Sequence, residues 1–216
     1  MYKAIIFDMD GVLVDTEPLY RFRVSQFFKN HGISIKLEEL NKLTGSSHGY
    51  SKKLMTSWWK EDISEDEFWK LYENQRESIV RYFPFILNPY VKIILPILKK
   101  EGWKIGLASS SSRYHINECC SRCNIQDFFD FTISGEECKY SKPSAEIYIK
   151  AAQALKVKVE ECIVLEDSTY GIAAAKRAGM YVIAHKDERF SFHQNEADDQ
   201  YHDLFEAYHK IQQLIT

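Results

Sequence analysis

Asp8 and Asp10 stand two residues apart, with Gly11 directly after them and the apolar run Ala4 to Phe7 close before. A short β-branched and aromatic run reads as a buried parallel strand, and the glycine marks a turn at its C-terminal end. That end is where open α/β sheets bind ligands. Two carboxylates this close repel each other and lose water, so their charged forms are disfavoured unless a cation joins them. Oxygen-only ligands of high charge density suit Mg²⁺, which keeps several waters and commonly sits between carboxylates and a substrate phosphate. The first expectation is therefore magnesium and a phosphate. Taken alone, such a pair is more often a solvated polar loop. What moves the balance is Ser109, Lys142 and the run Glu166-Asp167-Ser168 later in the chain.

Moving a phosphoryl group needs an in-line nucleophile, neutralisation of the phosphoryl oxygens and proton handling at the leaving group. Asp8 is the candidate nucleophile, because a carboxylate can form an acyl-phosphate that splits one hard displacement into two. Asp10 is the candidate acid and base, protonating the leaving alcohol and later deprotonating water. Asp167 is expected to complete the metal shell, with Glu166 as a ligand or an outer-shell partner. Ser109 is expected to donate to a phosphoryl oxygen, helped by backbone N–H groups where a helix begins near Ser112. Lys142 would supply a compact positive charge that keeps Asp8 ionised and offsets charge on the transferring group. Thr16, Tyr20, His48 and Ser110 are the candidate substrate contacts.

These residues need a sheet to hold them. From Pro89 onward helical and strand patterns alternate, the signature of a parallel sheet. Helices are expected at Val91 to Lys100, Arg113 to Cys123, Ser144 to Leu155 and Gly171 to Ala178. Strands are expected at Lys104 to Ala108, Phe131 to Ile133, Cys162 to Leu165 and Tyr181 to Ala184. The tail, with Asp198-Asp199 and a periodic run from Leu204 to Leu214, fits a loop, a weak strand and a docking helix. Between about residues 17 and 84 the pattern is helical, with Leu19, Phe22, Phe27 and Phe28 marking the first helix. Ser64 and Glu67 form a capping box that opens a helix reaching to about Tyr82. The expected fold is a Rossmann-like, doubly wound α/β core (residues 1–16 and 85–216) with an inserted all-helical cap (17–84). An insertion after the first strand is a natural lid for a site at Asp8 and Asp10.

Four stretches together resemble the haloacid dehalogenase superfamily of phosphohydrolases, in the branch with a small helical cap that includes β-phosphoglucomutase. They are Asp8-Met9-Asp10-Gly11-Val12, Leu107-Ala108-Ser109, Ser141-Lys142-Pro143, and Leu165-Glu166-Asp167-Ser168 with Gly171-Ile172 following. The resemblance implies that the Asp10 backbone carbonyl also touches the metal. It further favours phosphate esters, since members acting on carbon–halogen or carbon–phosphorus bonds do not carry an aspartate at that position. Mutases of the branch bind a second phosphate with an arginine in the turn after a Thr/Lys-Gly pair and a histidine in the first cap helix. Here the turn reads Thr44-Gly45-Ser46-Ser47-His48 and the helix position is Tyr20. A phosphatase is therefore expected, with a mutase as the alternative because Arg21, Arg23, Lys52, Lys53 or Arg76 could serve the same purpose. A binding module that has lost turnover is disfavoured by intact Asp8, Asp10, Lys142 and Asp167. The family's usual Pro-Gly at the return from the cap is Pro89-Tyr90 here, and Asp198-Asp199-Gln200 is more polar than its last strand.

The 216 residues carry a formal net charge of -3, which offers no basic field for nucleic acid. No apolar run is long enough for a membrane span and no signal-like segment opens the chain. Five cysteines without a secretion signal favour reduced thiols in a cytoplasm. His115, Cys119 and Cys123 lie on one helix face but are read as packing, not as a zinc site. Trp58, Trp59, Phe68 and Trp69 are read as cap core. The expected partner is a small phosphate ester, with Mg²⁺ as cofactor, acting on a cytoplasmic monomer.

Overall fold

The computed structural model describes residues 1–44, 48–75, 82–189 and 193–215. In chain order the elements are β1 (Ala4–Phe7), α1 (Glu17–Asn30), α2 (Leu37–Asn41), α3 (His48–Ser57), α4 (Glu65–Gln75), α5 (Val91–Lys100), β2 (Lys104–Ser109), α6 (Arg113–Cys123), β3 (Phe131–Ser134), α7 (Glu146–Leu155), β4 (Cys162–Glu166), α8 (Thr169–Arg177), β5 (Tyr181–His185), β6 (Asp199–Tyr201) and α9 (Leu204–Gln213). They divide into two compact units, Met1–Asp15 with Tyr82–Thr216, and Thr16–Arg81.

In the first unit six strands form one sheet, ordered β3-β2-β1-β4-β5-β6, and every pairing is parallel. The chain builds from β1 outward through β2 and β3, then returns to the other side of β1 with β4. That reversal is the switch point of a doubly wound sheet, where a crevice opens at the strands' C-terminal ends. Phe7 pairs with Leu107 on one side and Leu165 on the other, so Asp8, Ala108 and Glu166 leave the sheet side by side.

Both faces of β1 are buried, as in-line apolar strands require. Ile5 and Phe7 join one core with α5, α6 and α9 through Leu95, Ile116 and Ile211. Ala4 and Ile6 join the other with α7 and α8 through Ala151 and Ile172. Cys119, Cys120 and Cys123 are packed in the first of these cores. The weak tail strand is real because its acids have partners: Asp198 accepts from Val182 N–H at 2.8 Å and from Lys176 at 2.6 Å, and Asp199 from Lys210 at 2.9 Å.

The second unit holds α1 to α4 around an aromatic core. Phe27 touches Phe28, Trp59, Phe68 and Tyr72, and Trp58 and Trp69 pack against the same cluster. The Ser64–Glu67 capping box forms, with Ser64 N–H donating to Glu67 at 2.9 Å. Phe22 is a correction: it is 54% exposed, because it lies five positions before Phe27 and off the buried stripe, which Val24 fills instead. The return to the α/β unit comes at Tyr82, earlier than the pattern suggested, since Phe83 is fully buried in the sheet's core. The expected continuation of α4 beyond Gln75 falls on residues 76–81, outside the described ones. No helix among the described residues is long and apolar enough to cross a membrane.

Candidate active site

β1 delivers Asp8 into a tight loop. Leu13 and Val14 N–H both donate to the Met9 carbonyl at 2.9 and 3.0 Å, and Gly11 N–H donates to Val14 at 2.7 Å. Gly11 has φ of 84°, and a Cβ there would stand 2.0 Å from Asp167 Oδ2. Only glycine meets both demands, so the loop after β1 and the carboxylate after β4 are packed against each other.

Lys142 reaches the same place from the segment before α7. Its ammonium donates to Asp8 Oδ1 at 2.6 Å, Glu166 Oε1 at 2.7 Å and the Ala108 carbonyl at 3.2 Å. It also lies 4.9 Å from the centre of the Tyr148 ring. Glu166 is engaged on both oxygens: Oε1 accepts from Lys142 and from Tyr148 Oη at 3.0 Å, and Oε2 from Asp167 N–H, Ser168 N–H and Ser168 Oγ at 2.9, 2.9 and 3.0 Å. Gly171 is required beneath it, since a Cβ there would lie 1.6 Å from Glu166 Oε1. Both oxygens of Glu166 are thus already held by protein donors.

Asp8, Glu166 and Asp167 are 6%, 1% and 7% exposed, and the only cation bonded to Asp8 and Glu166 among the described residues is Lys142. Burial would lower the Lys142 ammonium, yet the charges of Asp8 and Glu166 outweigh it and hold it well above the usual lysine range. Glu166 is held low by Lys142 and Ser168 despite its burial. Burial pushes the Asp8 carboxyl up to about 7, against Lys142 and with added push from the Glu166 and Asp10 charges. Three buried acids against one ammonium leave negative charge in excess, and a divalent cation would offset it. Among the described residues no three His, Cys, Asp or Glu groups close a metal site by themselves.

Asp10 faces the hydroxyl side of the loop. Its Oδ2 accepts from Ser111 Oγ at 2.7 Å and, at 3.4 Å, from Ser109 Oγ. Ser109 is buried at the end of β2, where its Oγ accepts from Ser111 N–H at 3.0 Å. Ser110 is exposed beside it. Ser112 caps α6 by accepting from His115 N–H at 3.3 Å, so the free N–H groups of that helix start next to Asp10.

The other candidates belong to the helical unit. Thr16 precedes α1 without a side-chain cap bond. Tyr20 donates its hydroxyl to Met55 Sδ at 3.8 Å, burial pushes it up to about 12, and its partly buried ring packs against the aromatic core of that unit. Arg21 bonds Asn41, and Lys52 bonds Asp66. His48 opens α3, but its side chain lies outside the described residues, as do Gly45 to Ser47 and Arg76.

Residues 5–185 match the family described as haloacid dehalogenase-like hydrolase. The chain belongs to that family. A curated relative, the phosphorylated carbohydrates phosphatase of Thermotoga maritima, is 31% identical over 180 residues, covering 82% of each chain. Hexitol phosphatase B of Escherichia coli is 28% identical over 198 residues, covering 87% of each. A solved β-phosphoglucomutase from Clostridium difficile superposes with a TM-score of 0.72 and 27% identity, over 99% of this chain and 96% of that one.

Within this haloacid dehalogenase-like fold, several groups escaped sequence reasoning. Ser111 sits in a four-serine run, Ser109 to Ser112, and nothing in that run marks it as the one that bonds Asp10. Tyr148, inside the helix expected at Ser144 to Leu155, carries no signal that its hydroxyl bonds Glu166. Gln194 donates to the Asp167 carbonyl at 2.6 Å and the His185 carbonyl at 2.7 Å from a stretch with no pattern at all.

Proposed function

We propose that the chain is a Mg²⁺-dependent phosphatase of small phosphorylated carbohydrates, acting through an aspartyl-phosphate on Asp8. It is a phosphoric monoester hydrolase. The observation that carries the reading is the buried Lys142 ammonium, 2.6 Å from Asp8 and 2.7 Å from Glu166. It orients a carboxylate at the mouth of the switch point and favours its ionised form.

Asp8 attacks the phosphorus, forming an acyl-phosphate as the bond from phosphorus to the alcohol oxygen breaks, and Asp10 passes its proton to that oxygen. Water then attacks the phosphorus, Asp10 takes the proton, and the Asp8 oxygen departs as carboxylate with release of orthophosphate. Ser109 and the first N–H groups of α6 bind phosphoryl oxygens. Ser111 holds Asp10 between its two protonation steps. Bound Mg²⁺, held by Asp8, Asp167 and the Asp10 carbonyl, would supply positive charge to the phosphoryl oxygens. Glu166 orients Lys142 and Asp167 from outside that shell.

The helical unit Thr16–Arg81 is the cap that selects substrate. Two named relatives that act on phosphorylated carbohydrates and hexitol phosphates support sugar and sugar-alcohol phosphates as the class. Phosphate release from a panel of such esters, with and without Mg²⁺, tests the reading. No release from any of them, with Mg²⁺ present, would refute it. The likeness to a solved β-phosphoglucomutase favours a second reading, a mutase. Isomerisation of β-glucose 1-phosphate without net phosphate release would select it.

A further inference from the structure

The Gly11 carbonyl, on the far side of the loop from Ser109, is met by two side chains from distant parts of the α/β unit. Asn88 Nδ2 donates to it at 3.3 Å and to the Val12 carbonyl at 2.9 Å. His185 Nδ1, at the end of β5, lies 2.7 Å from the same oxygen, a contact that requires the proton on Nδ1. The imidazole is fixed in plane: it stacks on the buried Tyr201 ring with centroids 5.1 Å apart and 22° between planes.

Each of these side chains is anchored in turn. Asn88 N–H donates to Leu13 at 2.8 Å, next to the antiparallel bridge between Val14 and Leu87 and the 2.8 Å bond from Asp15 N–H to Ile86. The His185 carbonyl shares the Gln194 amide with the carbonyl of Asp167. Together the two donors fill both lone pairs of that oxygen. What they restrain is the peptide plane after Gly11, a residue with φ of 84° whose α-carbon forms the wall against Asp167. Released from them, Gly11 has the widest choice of backbone conformations of any residue, and that wall would move.

We infer that Asn88 and His185 are positioning residues, a clamp on Gly11 that sets where Asp167 stands for Mg²⁺ and ties the 86–88 segment and the end of β5 to the carboxylate site. The inference rests on the proposed function. Neither residue touches substrate or ion; both act through Gly11. Partners that orient a ligand from outside the shell typically contribute ~10-fold to 100-fold in metal affinity.

The test uses the full chain as wild type, Asn88→Ala, His185→Ala and His185→Asn, whose amide can place a donor near the Nδ1 position. Mg²⁺ affinity is read by isothermal titration calorimetry, kcat and KM with p-nitrophenyl phosphate, and Tm in EDTA. Both alanine variants are expected to weaken Mg²⁺ binding ~10-fold and to lower kcat at fixed Mg²⁺, with KM within about twofold. His185→Asn is expected to recover most of the affinity whatever its Tm. Mg²⁺ affinity within twofold of wild type in a folded alanine variant overturns the clamp, as does His185→Asn binding no better than His185→Ala. Should His185→Ala not fold, Asn88→Ala and His185→Asn decide the matter. A wild type that neither binds Mg²⁺ nor releases phosphate overturns the proposed function itself.

Discussion

The two aspartates of one loop sit in opposite environments. Asp8 faces the charged side, where Lys142, Glu166 and Asp167 are buried together and the ammonium bonds two carboxylates at once. Asp10 faces the hydroxyl side, where Ser111 and Ser109 are its neighbours. In the proposed role Asp8 must be ionised and aimed; Lys142 holds it in place and opposes the burial that pushes its carboxyl up to about 7. An acid that also acts as a base must change charge twice per cycle. Neutral hydroxyls tolerate both states, because a hydroxyl can donate to a carboxylate or accept from a carboxylic acid. Two residues of separation along the chain thus divide two environments, one suited to each of the proposed roles.

The largest expected effect breaks the charged side. Asp8→Asn is expected to lower kcat by at least ~10⁴-fold while far-UV circular dichroism stays unchanged, and beryllium fluoride should no longer bind. Retained turnover would remove the nucleophile. Lys142→Met leaves Asp8 and Glu166 buried without their cation. We expect a loss of ~3 kcal/mol in urea unfolding, the cost of breaking a buried pair from one side, together with loss of activity.

The charged side also predicts a pH dependence in EDTA. Asp8 rises from 3.8 to about 7 on folding, so the folded state binds the proton more tightly than the unfolded state does. Its contribution to stability is complete below about pH 4 and is lost as pH rises towards about 7. Asp8→Asn should remove that downward slope when urea midpoints are compared across the range, and saturating Mg²⁺ should flatten it in the wild type.

The hydroxyl side predicts a smaller, selective effect. Ser111→Ala is expected to reduce kcat about 10-fold for alkyl phosphates, whose leaving groups need the Asp10 proton, and less for p-nitrophenyl phosphate. An equal loss on both substrates would detach Ser111 from proton transfer. The smallest effect lies outside both sides. Tyr90, where the family usually has glycine, adopts φ of 70° ahead of α5, with its ring 5.9 Å from Phe205. Tyr90→Gly should relieve about 1 kcal/mol of left-handed strain, less what the Phe205 contact contributes, and raise Tm with kcat unaltered.

Much of this molecule was legible before any coordinates. The elements carrying the charged side announce themselves by apolar runs that end in acids, as Ala4 to Phe7 ends in Asp8 and Cys162 to Leu165 in Glu166. Gly11 was legible as a turn and Gly171 as part of a helix, but that Gly171 is needed because Glu166 lies beneath it, 1.6 Å from where a Cβ would be, was not. Tyr20 was a substrate candidate by its place in the chain, and its contact with Met55 in the helical unit was not legible there. Asn88, Ser111, His185 and Gln194 carried no periodic or spacing signal, because a polar residue in a loop looks the same whether it faces water or a carbonyl.

From its sequence alone this protein had a parallel sheet, a helical insertion, and Asp8, Asp10, Lys142 and Asp167 as its candidate reactive set, because strand periodicity and short motifs are read along the chain. Which oxygen Lys142 holds, which serine holds Asp10, and what restrains Gly11 were decided only in three dimensions. Those contacts join residues from 77 to 174 positions apart, and pairing over such distances depends on strand register and helix packing, which no local pattern encodes.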